Sequence, residues 1–343
     1  MEGFSRGLPA RVTPCSMHDR RFVTSAGSPG GSPGGSPGGS PAASLAPTLL
    51  GSLALAAVLA GVAATPAAAD KSAELPSVRS LSAAVLDLRT GAEVFAKNPD
   101  EVRAIASTTK IFVALAVRKK GLDLDGWTEI TAGDVRAAKG GSRTRLDQGQ
   151  TFKNIDLLRA MLMASDNRAP TALGRAAGMD QAALIAEMNA VARDLGLKKT
   201  RFTDSSGLRG NVSTAREMAL ALRAALADPV LADIMGTRWA EVKSRSGYLK
   251  IAYGSTNQAL IAGKYKVLGG KTGFTKAAGY CFVTGAEIDD HRYVLSFFGG
   301  DGKATRFADF SRVAAWLDDG APGAHVRPRA EAKAAPQPVK RRA

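Results

Sequence analysis

The stretch Ile105-Ala106-Ser107-Thr108-Thr109-Lys110-Ile111-Phe112-Val113-Ala114-Leu115-Ala116-Val117 constrains this chain more than any other. An almost unbroken apolar run after Lys110 predicts a helix buried on all sides in a large core. Residues three apart share a helix face, so the Ser107 hydroxyl and the Lys110 amine are expected to point into one space. Ser107 is placed in the first helical turn, where unpaired backbone N–H groups favour developing negative charge. Cations and a glycine at Arg118-Lys119-Lys120-Gly121 mark the helix end. A serine held on a rigid, buried element beside an amine is a candidate nucleophile.

The rest of the composition narrows what can activate it. The chain has 3 His and 2 Cys. His291 falls in a polar turn and His325 in a C-terminal tail, so neither a histidine-based triad nor a histidine-rich metal site is supported. No metal and no organic cofactor is expected. Once a leader carrying Cys15 is removed, Cys281 has no partner for an internal disulfide and reads as a small buried hydrophobe. The formal net charge is +15, and about +13 remains after subtracting the leader's four Arg against Glu2 and Asp19. That balance suits an anionic partner such as cell wall, or simply a solvated basic surface. No basic–aromatic motif points to nucleic acid, and none is expected as a partner.

Three segments follow one another. Residues 28–41 repeat Gly, Ser and Pro with no large apolar side chain to bury. Leu49–Ala60 is apolar, and Pro66-Ala67-Ala68-Ala69-Asp70 follows. That form predicts a secretory signal peptide cut after Ala69, so residues 1–69 are a leader and the protein is exported. The apolar run is short for a membrane span, although a retained anchor is the competing reading. Residues 70–319 form the expected globular domain. From Gly320 to Ala343 the chain turns to Ala, Pro, Lys and Arg, a basic tail expected to be disordered and without the periodicity of a membrane-lying helix.

Within the domain, Ser82–Leu88 and Glu93–Lys97 read as a hairpin. Between Asp123 and Gln150 the chain reads as irregular, with Ile130-Thr131 a short strand and Lys139–Ser142 a loop. Helices are expected at Ile155–Met163, Ala169–Gly174, Gln181–Leu195 and Ala215–Leu226, the last capped from Ser213-Thr214. Val267-Leu268, Tyr280–Ile288 and Arg292–Phe298 read as strands, with an Asp289-Asp290 turn. Thr305–Leu317 reads as a final amphipathic helix. An N-terminal hairpin, a helical middle and a C-terminal antiparallel group make the fold class α+β.

Two further motifs accompany Ser107-x-x-Lys110. Ser165-Asp166-Asn167 lies on a short connection between helices. Lys271-Thr272-Gly273, followed by Phe274, lies on a strand whose glycines allow close approach of a ligand. With Arg201-Phe202, Ser206-Gly207-Leu208 and Lys276-Ala277-Ala278-Gly279, this combination resembles the penicillin-recognising serine enzymes. Within them it is similar to the low-molecular-mass penicillin-binding proteins, the D-alanyl-D-alanine carboxypeptidases and endopeptidases. The stretch Lys271–Gly279 and the helix at Arg306-Phe307-Ala308-Asp309 look most like the endopeptidase subgroup.

The resemblance spans about Ser82 to Leu317 and implies a DD-peptidase/β-lactamase-like transpeptidase fold, an antiparallel sheet packed with a helical subdomain. It implies peptidoglycan stem peptides as substrates, β-lactams as acylating inhibitors, and a periplasmic compartment. By the same resemblance Ser107 is the nucleophile and Lys110 its base, while Ser165 relays a proton and Asn167 orients Lys110. Backbone N–H groups of Ser107 and Phe274 would form the oxyanion hole. Lys271, Thr272 and Gly273 hold substrate, the first two at its carboxylate. Arg306, whose place follows Gly299-Gly300, is a further candidate for that carboxylate. Asp166 is expected to be structural. The rival readings are a serine β-lactamase, a non-catalytic wall-binding protein and an esterase of the same fold. With few ordered residues expected after Phe298, the β-rich domain and amphipathic anchor of the larger carboxypeptidases are not expected.

Overall fold

A computed structural model describes residues 75–142 and 144–321. The expected leader, its cleavage site and the basic tail lie outside the described residues. In chain order the elements are β1 (Ser82–Asp87), β2 (Glu93–Lys97), β3 (Arg103–Ala104), a 3-10 turn (Ala106–Thr109), α1 (Lys110–Lys119), β4 (Trp127–Glu129) and α2 (Ala132–Ala137). Then come β5 (Thr151–Lys153), α3 (Asn154–Met163), α4 (Ala169–Ala176), α5 (Gln181–Asp194), β6 (Val212–Ser213), α6 (Ala215–Leu226) and α7 (Pro229–Gly236). The chain closes with β7 (Trp239–Lys243), β8 (Lys250–Gly254), α8 (Gln258–Ala262), β9 (Lys266–Thr275), β10 (Gly279–Ile288), β11 (His291–Gly300) and α9 (Thr305–Asp318).

The main sheet has the order β2-β1-β11-β10-β9, antiparallel throughout. Because β1 pairs with β11, the two ends of the domain meet in the sheet and the helical middle is an excursion between β2 and β9. Both faces are covered, so β1 is buried along its length. Its alternation still sorts the two sides. Ala84 and Leu86 join the large core with Phe112, Met161 and Leu222, whereas Ala83 and Val85 join Phe95, Phe310, Val313 and Trp316 under α9. Each large apolar side chain so buried is worth about 1.5–3 kcal/mol.

Helix α1 is the axis of the large core. Ile111, Phe112, Val113, Ala114, Ala116 and Val117 are all buried, as a helix apolar on every side must be. Two expectations are corrected here. Ile130-Thr131 is no strand: the strand is β4, ending at Glu129 and pairing with β5. Thr131 instead starts α2, because the Asp134 carboxylate accepts its N–H at 2.7 Å and its O–H at 2.9 Å. The supposed irregular stretch therefore contains a helix. Asp228-Pro229 likewise opens α7, with Asp228 Oδ1 accepting the Val230 N–H at 2.9 Å.

Candidate active site

Ser107 lies in the 3-10 turn, and the α-helix begins only at Lys110. The expected placement in the first α-helical turn is thus corrected by one short turn, yet the i, i+3 relation to Lys110 survives. Ala106 has φ +48°, a left-handed value costly for alanine. Two glycines let neighbouring backbone pack closely against it. A Cβ on Gly207 would stand 1.9 Å from the Ala106 carbonyl oxygen, and one on Gly273 would stand 2.9 Å from the Ser107 nitrogen. Only glycine at both positions lets the 204–208 loop and strand β9 close on the serine.

The Lys110 side chain is fully buried. Its Nζ is 2.9 Å from Ser107 Oγ, 2.8 Å from Asn167 Oδ1 and 2.8 Å from the Ser206 carbonyl oxygen. Burial lowers its pKa to about 7, against the opposing pull of the Asp204 and Asp166 charges. Lys271, equally buried, is pushed well below the ordinary lysine range by burial, then by repulsion from Lys110 and Arg306. Two like charges in one dry site cannot both be held cheaply.

The Ser206 carbonyl is positioned by a carboxylate that sequence reasoning did not single out. Asp204 Oδ1 accepts the N–H groups of Ser206 at 3.0 Å and Gly207 at 2.6 Å, and Oδ2 accepts that of Leu208 at 2.9 Å. Asn211 Nδ2 donates to Asp204 Oδ1 and to Thr109 Oγ1, each at 3.0 Å, tying the loop to the turn that carries Ser107. The signal was an acid followed by Ser-Ser-Gly, a turn-forming pattern with nothing to connect it to Lys110.

Ser165 connects α3 to α4 with φ +64°, and its hydroxyl has no hydrogen-bond partner among the described residues. Asp166 is buried and structural, as expected. It accepts N–H groups from Arg145 at 3.1 Å and Arg168 at 2.9 Å, while burial raises its pKa. On β9, Lys271 Nζ donates to the Thr272 carbonyl at 2.8 Å. Thr272 Oγ1 donates to Thr256 Oγ1 at 2.7 Å. Thr256 in turn donates to the Met163 carbonyl, through N–H at 3.0 Å and O–H at 3.2 Å. Thr256 is a second residue missed from sequence. Phe274 is 52% exposed and stacks on Tyr280 with ring centroids 4.3 Å apart.

The structure therefore brings Ser107, Lys110 and Asn167 into one hydrogen-bonded cluster, with Gly273 packed against the Ser107 backbone. Arg306 is placed differently from the expectation. It is buried behind β9, and its Nη1 donates to the carbonyls of Gly273 at 2.7 Å and Cys281 at 2.9 Å. Cys281 is a buried free thiol pushed up to about 12, first by burial. His291 sits at the expected turn, 2.7 Å from the Asp289 carbonyl oxygen.

A profile of peptidase family S11, D-alanyl-D-alanine carboxypeptidase, matches residues 69–302. The chain is 34% identical over 254 residues to a D-alanyl-D-alanine endopeptidase of Escherichia coli, covering 74% of this chain and 81% of that protein. It is 31% identical over 234 residues to the D-alanyl-D-alanine carboxypeptidase DacB2 of Mycobacterium tuberculosis, covering 67% and 78%. A solved D-alanyl-D-alanine carboxypeptidase from Mycobacterium tuberculosis superposes with TM-score 0.62 at 28% identity, over 70% of this chain and 94% of that one. A Streptomyces DD-transpeptidase shares the fold, with TM-score 0.66 at 22% identity over 71% and 98%. The profile match over residues 69–302 and the 34% identical relative show that this chain belongs to the D-alanyl-D-alanine carboxypeptidase family of serine peptidases.

Proposed function

We propose that this serine DD-peptidase cleaves D-alanyl bonds of peptidoglycan stem peptides through an acyl-enzyme on Ser107. The observation that carries the reading is the 2.9 Å contact between Ser107 Oγ and a fully buried Lys110 whose pKa is about 7. A neutral amine has two N–H donors and one lone pair. The donors satisfy Asn167 Oδ1 and the Ser206 carbonyl, which leaves the lone pair for the Ser107 O–H. Lys110 then takes the serine proton as Oγ attacks the carbonyl of the penultimate D-alanine. The N–H groups of Ser107 and Phe274 receive the oxyanion. The proton returns to the leaving amine through the Ser165 hydroxyl, and water repeats the sequence to release the acyl group.

Strand β9 is at the sheet edge, so a stem peptide can add alongside it with its carboxylate at Lys271 and Thr272. That carboxylate draws the one affordable proton onto Lys271 and leaves Lys110 neutral. Substrate binding thereby readies the base. Endopeptidase relatives from Escherichia coli and Pseudomonas aeruginosa, each 34% identical, support cross-link cleavage alongside removal of terminal D-alanine. β-Lactams would acylate the same serine. The leader pattern and the substrate support export to the periplasm with cleavage after Ala69. Among the described residues no helix is long and apolar enough to cross a membrane.

Intact mass after benzylpenicillin, with Ser107→Ala alongside, tests this reading. A persistent adduct of one penicillin, absent from the variant, is expected. Rapid penicillin hydrolysis without an adduct would indicate a β-lactamase. No adduct and no hydrolysis, with retained binding to cell wall, would leave a wall-binding protein. Preference for small acyl esters over D-alanyl peptides would indicate an esterase.

A further inference from the structure

We propose that Arg306 is a positioning residue of the oxyanion hole, holding the Gly273–Phe274 peptide so that the Phe274 N–H faces Ser107. This rests on the reading of Ser107 as the acylated residue. The argument starts from one nitrogen. Arg306 Nη1 donates to both the Gly273 and the Cys281 carbonyl oxygens, at 2.7 and 2.9 Å. Those two residues are direct partners in the β9–β10 ladder. Opposed residues in an antiparallel pair either turn their carbonyls toward the partner strand or turn both away. A single nitrogen reaches both oxygens only in the first case, so the Gly273 C=O points into the sheet.

The orientation of the next N–H follows. In a trans peptide the C=O of one residue and the N–H of the next point in opposite directions. The Phe274 N–H therefore points away from β10, and β9 has no strand on that side. The same peptide lies against the nucleophile, since a Cβ on Gly273 would come within 2.9 Å of the Ser107 nitrogen. Arg306 reaches it from α9, on the opposite side of the sheet from the α1 core. Its guanidinium carbon stands 5.2 Å from the Tyr280 ring centre and 4.9 Å from that of Phe307. The bond from a cation also polarises the peptide and makes its N–H a stronger donor.

The absence of a salt bridge speaks for this role. Arg306 is 6% exposed, and no described carboxylate pairs with it. A buried cation without an acid is a poor way to stabilise a strand, because an apolar side chain of similar volume would do so at lower cost. Here the charge is directed at two adjacent carbonyls, and the Gly273 peptide has the proposed site of reaction on its far side. Arg306 acts on the transition state through that peptide, and the ground-state carboxylate is left to Lys271 and Thr272.

The test is single-turnover acylation of Arg306→Gln and Arg306→Lys. The donors are a D-alanyl ester with a free carboxylate and the same donor capped as an amide. The brace predicts that Arg306→Gln loses about tenfold to a hundredfold in the saturating acylation rate, equally for both donors, with half-saturation unchanged. Arg306→Lys should recover part of that loss. Isotope-edited infrared spectra of the penicilloyl enzyme should show the ester carbonyl stretch of both variants at higher frequency than in the wild type, as its hydrogen bonds weaken. A rise in half-saturation confined to the uncapped donor would make Arg306 a carboxylate ligand and overturn the proposal. An unmoved stretch with slower acylation would reduce it to a framework residue. If Arg306→Gln does not fold, the stretch and donor comparison in Arg306→Lys decide. A wild-type enzyme that never forms the ester would fail the Ser107 reading itself.

Discussion

Two pairs of buried charges in this molecule are treated in opposite ways. Asp134 and Asp309 are completely buried, and each is saturated with donors. Asp309 accepts the N–H groups of Arg79 at 2.9 Å and Ser80 at 2.7 Å and the Ser80 O–H at 2.6 Å, and it pairs with Arg312. It thereby fastens α9 to the segment entering β1. Asp134 accepts from Thr131, Thr171 and Arg175 and fastens α2 to α4. Lys110 and Lys271 are both buried, yet neither bonds a carboxylate, and the Lys110 charge adds to the burial that lowers the pKa of Lys271. The acids are satisfied and hold the fold together. The amines have neutral partners and no acid in contact, and in the proposed mechanism the cost of holding their charge is what lets Lys110 act as the base.

The largest expected effects set these pairs against each other. Ser107→Ala should abolish acylation, and Lys110→Met should slow it by about 10⁴-fold at neutral pH, measured as the rate of penicilloyl-enzyme formation. Lys110→Met should unfold at the same temperature as the wild type or higher, because the methionine carries no charge into the core. Asp309→Ala and Asp134→Ala should do the reverse. Each should lose about 3–5 kcal/mol in urea unfolding while acylation per folded molecule stays within about twofold. If Lys110→Met proved as unstable as Asp309→Ala, the two clusters would be equally structural and the contrast would fail.

A pH titration sharpens the same contrast. The base must be neutral, so acylation should fall about tenfold per unit as pH drops below about 7. Stability carries the matching signature. The folded amine's pKa lies below that of the unfolded chain, whose lysine still binds a proton between about 7 and 10.5. Within that window the unfolded state holds more protons, so stability from this group rises with pH. The advantage of Lys110→Met should be full at or below pH 7 and disappear near pH 10.5. A gap between variant and wild type that stayed constant over this range would mean that burial does not depress the lysine.

The same division explains what could be read without coordinates. Ser107 with Lys110, Ser165 with Asn167, and Lys271 with Thr272 are close in sequence because each pair rides on one turn, connection or strand. Local spacing and order, with the family resemblance, therefore made them candidates. The hairpin β1–β2, helices α3 to α6 and α9, and the C-terminal strands were legible from periodicity and caps. The residues that tune the site were not. Asp204 works through a backbone carbonyl, with Lys110 at the far end of a 96-residue separation between Ser206 and the lysine. Arg306 also acts through carbonyls, so its side-chain chemistry alone suggested a ligand for an anion. Strand β4 and helix α2 lie in the stretch that reads as irregular, because both are short and the bond of Thr131 to Asp134 becomes evident only as a capping pattern.

Thr256 offers the smallest effect and falls between the two classes of cluster, since its hydroxyl is satisfied but reversible. In the free enzyme it accepts from Thr272 and donates to the Met163 carbonyl. When the Thr272 O–H turns to a substrate carboxylate, Thr256 can reverse and donate to Thr272 Oγ1, leaving Met163 with the Thr256 N–H at 3.0 Å. Thr256→Val removes that exchange and keeps the shape. One neutral hydrogen bond is worth about 1 kcal/mol, so half-saturation by a carboxylate-bearing donor should rise about fivefold with the saturating rate unchanged. Thr256→Ser should restore it. Steady-state kinetics with the uncapped and amide-capped donors separates the possibilities, because a hydroxyl serving the carboxylate has nothing to offer the capped one. Equal losses on both donors would place Thr256 with the satisfied acids, as part of what holds α3 to β9.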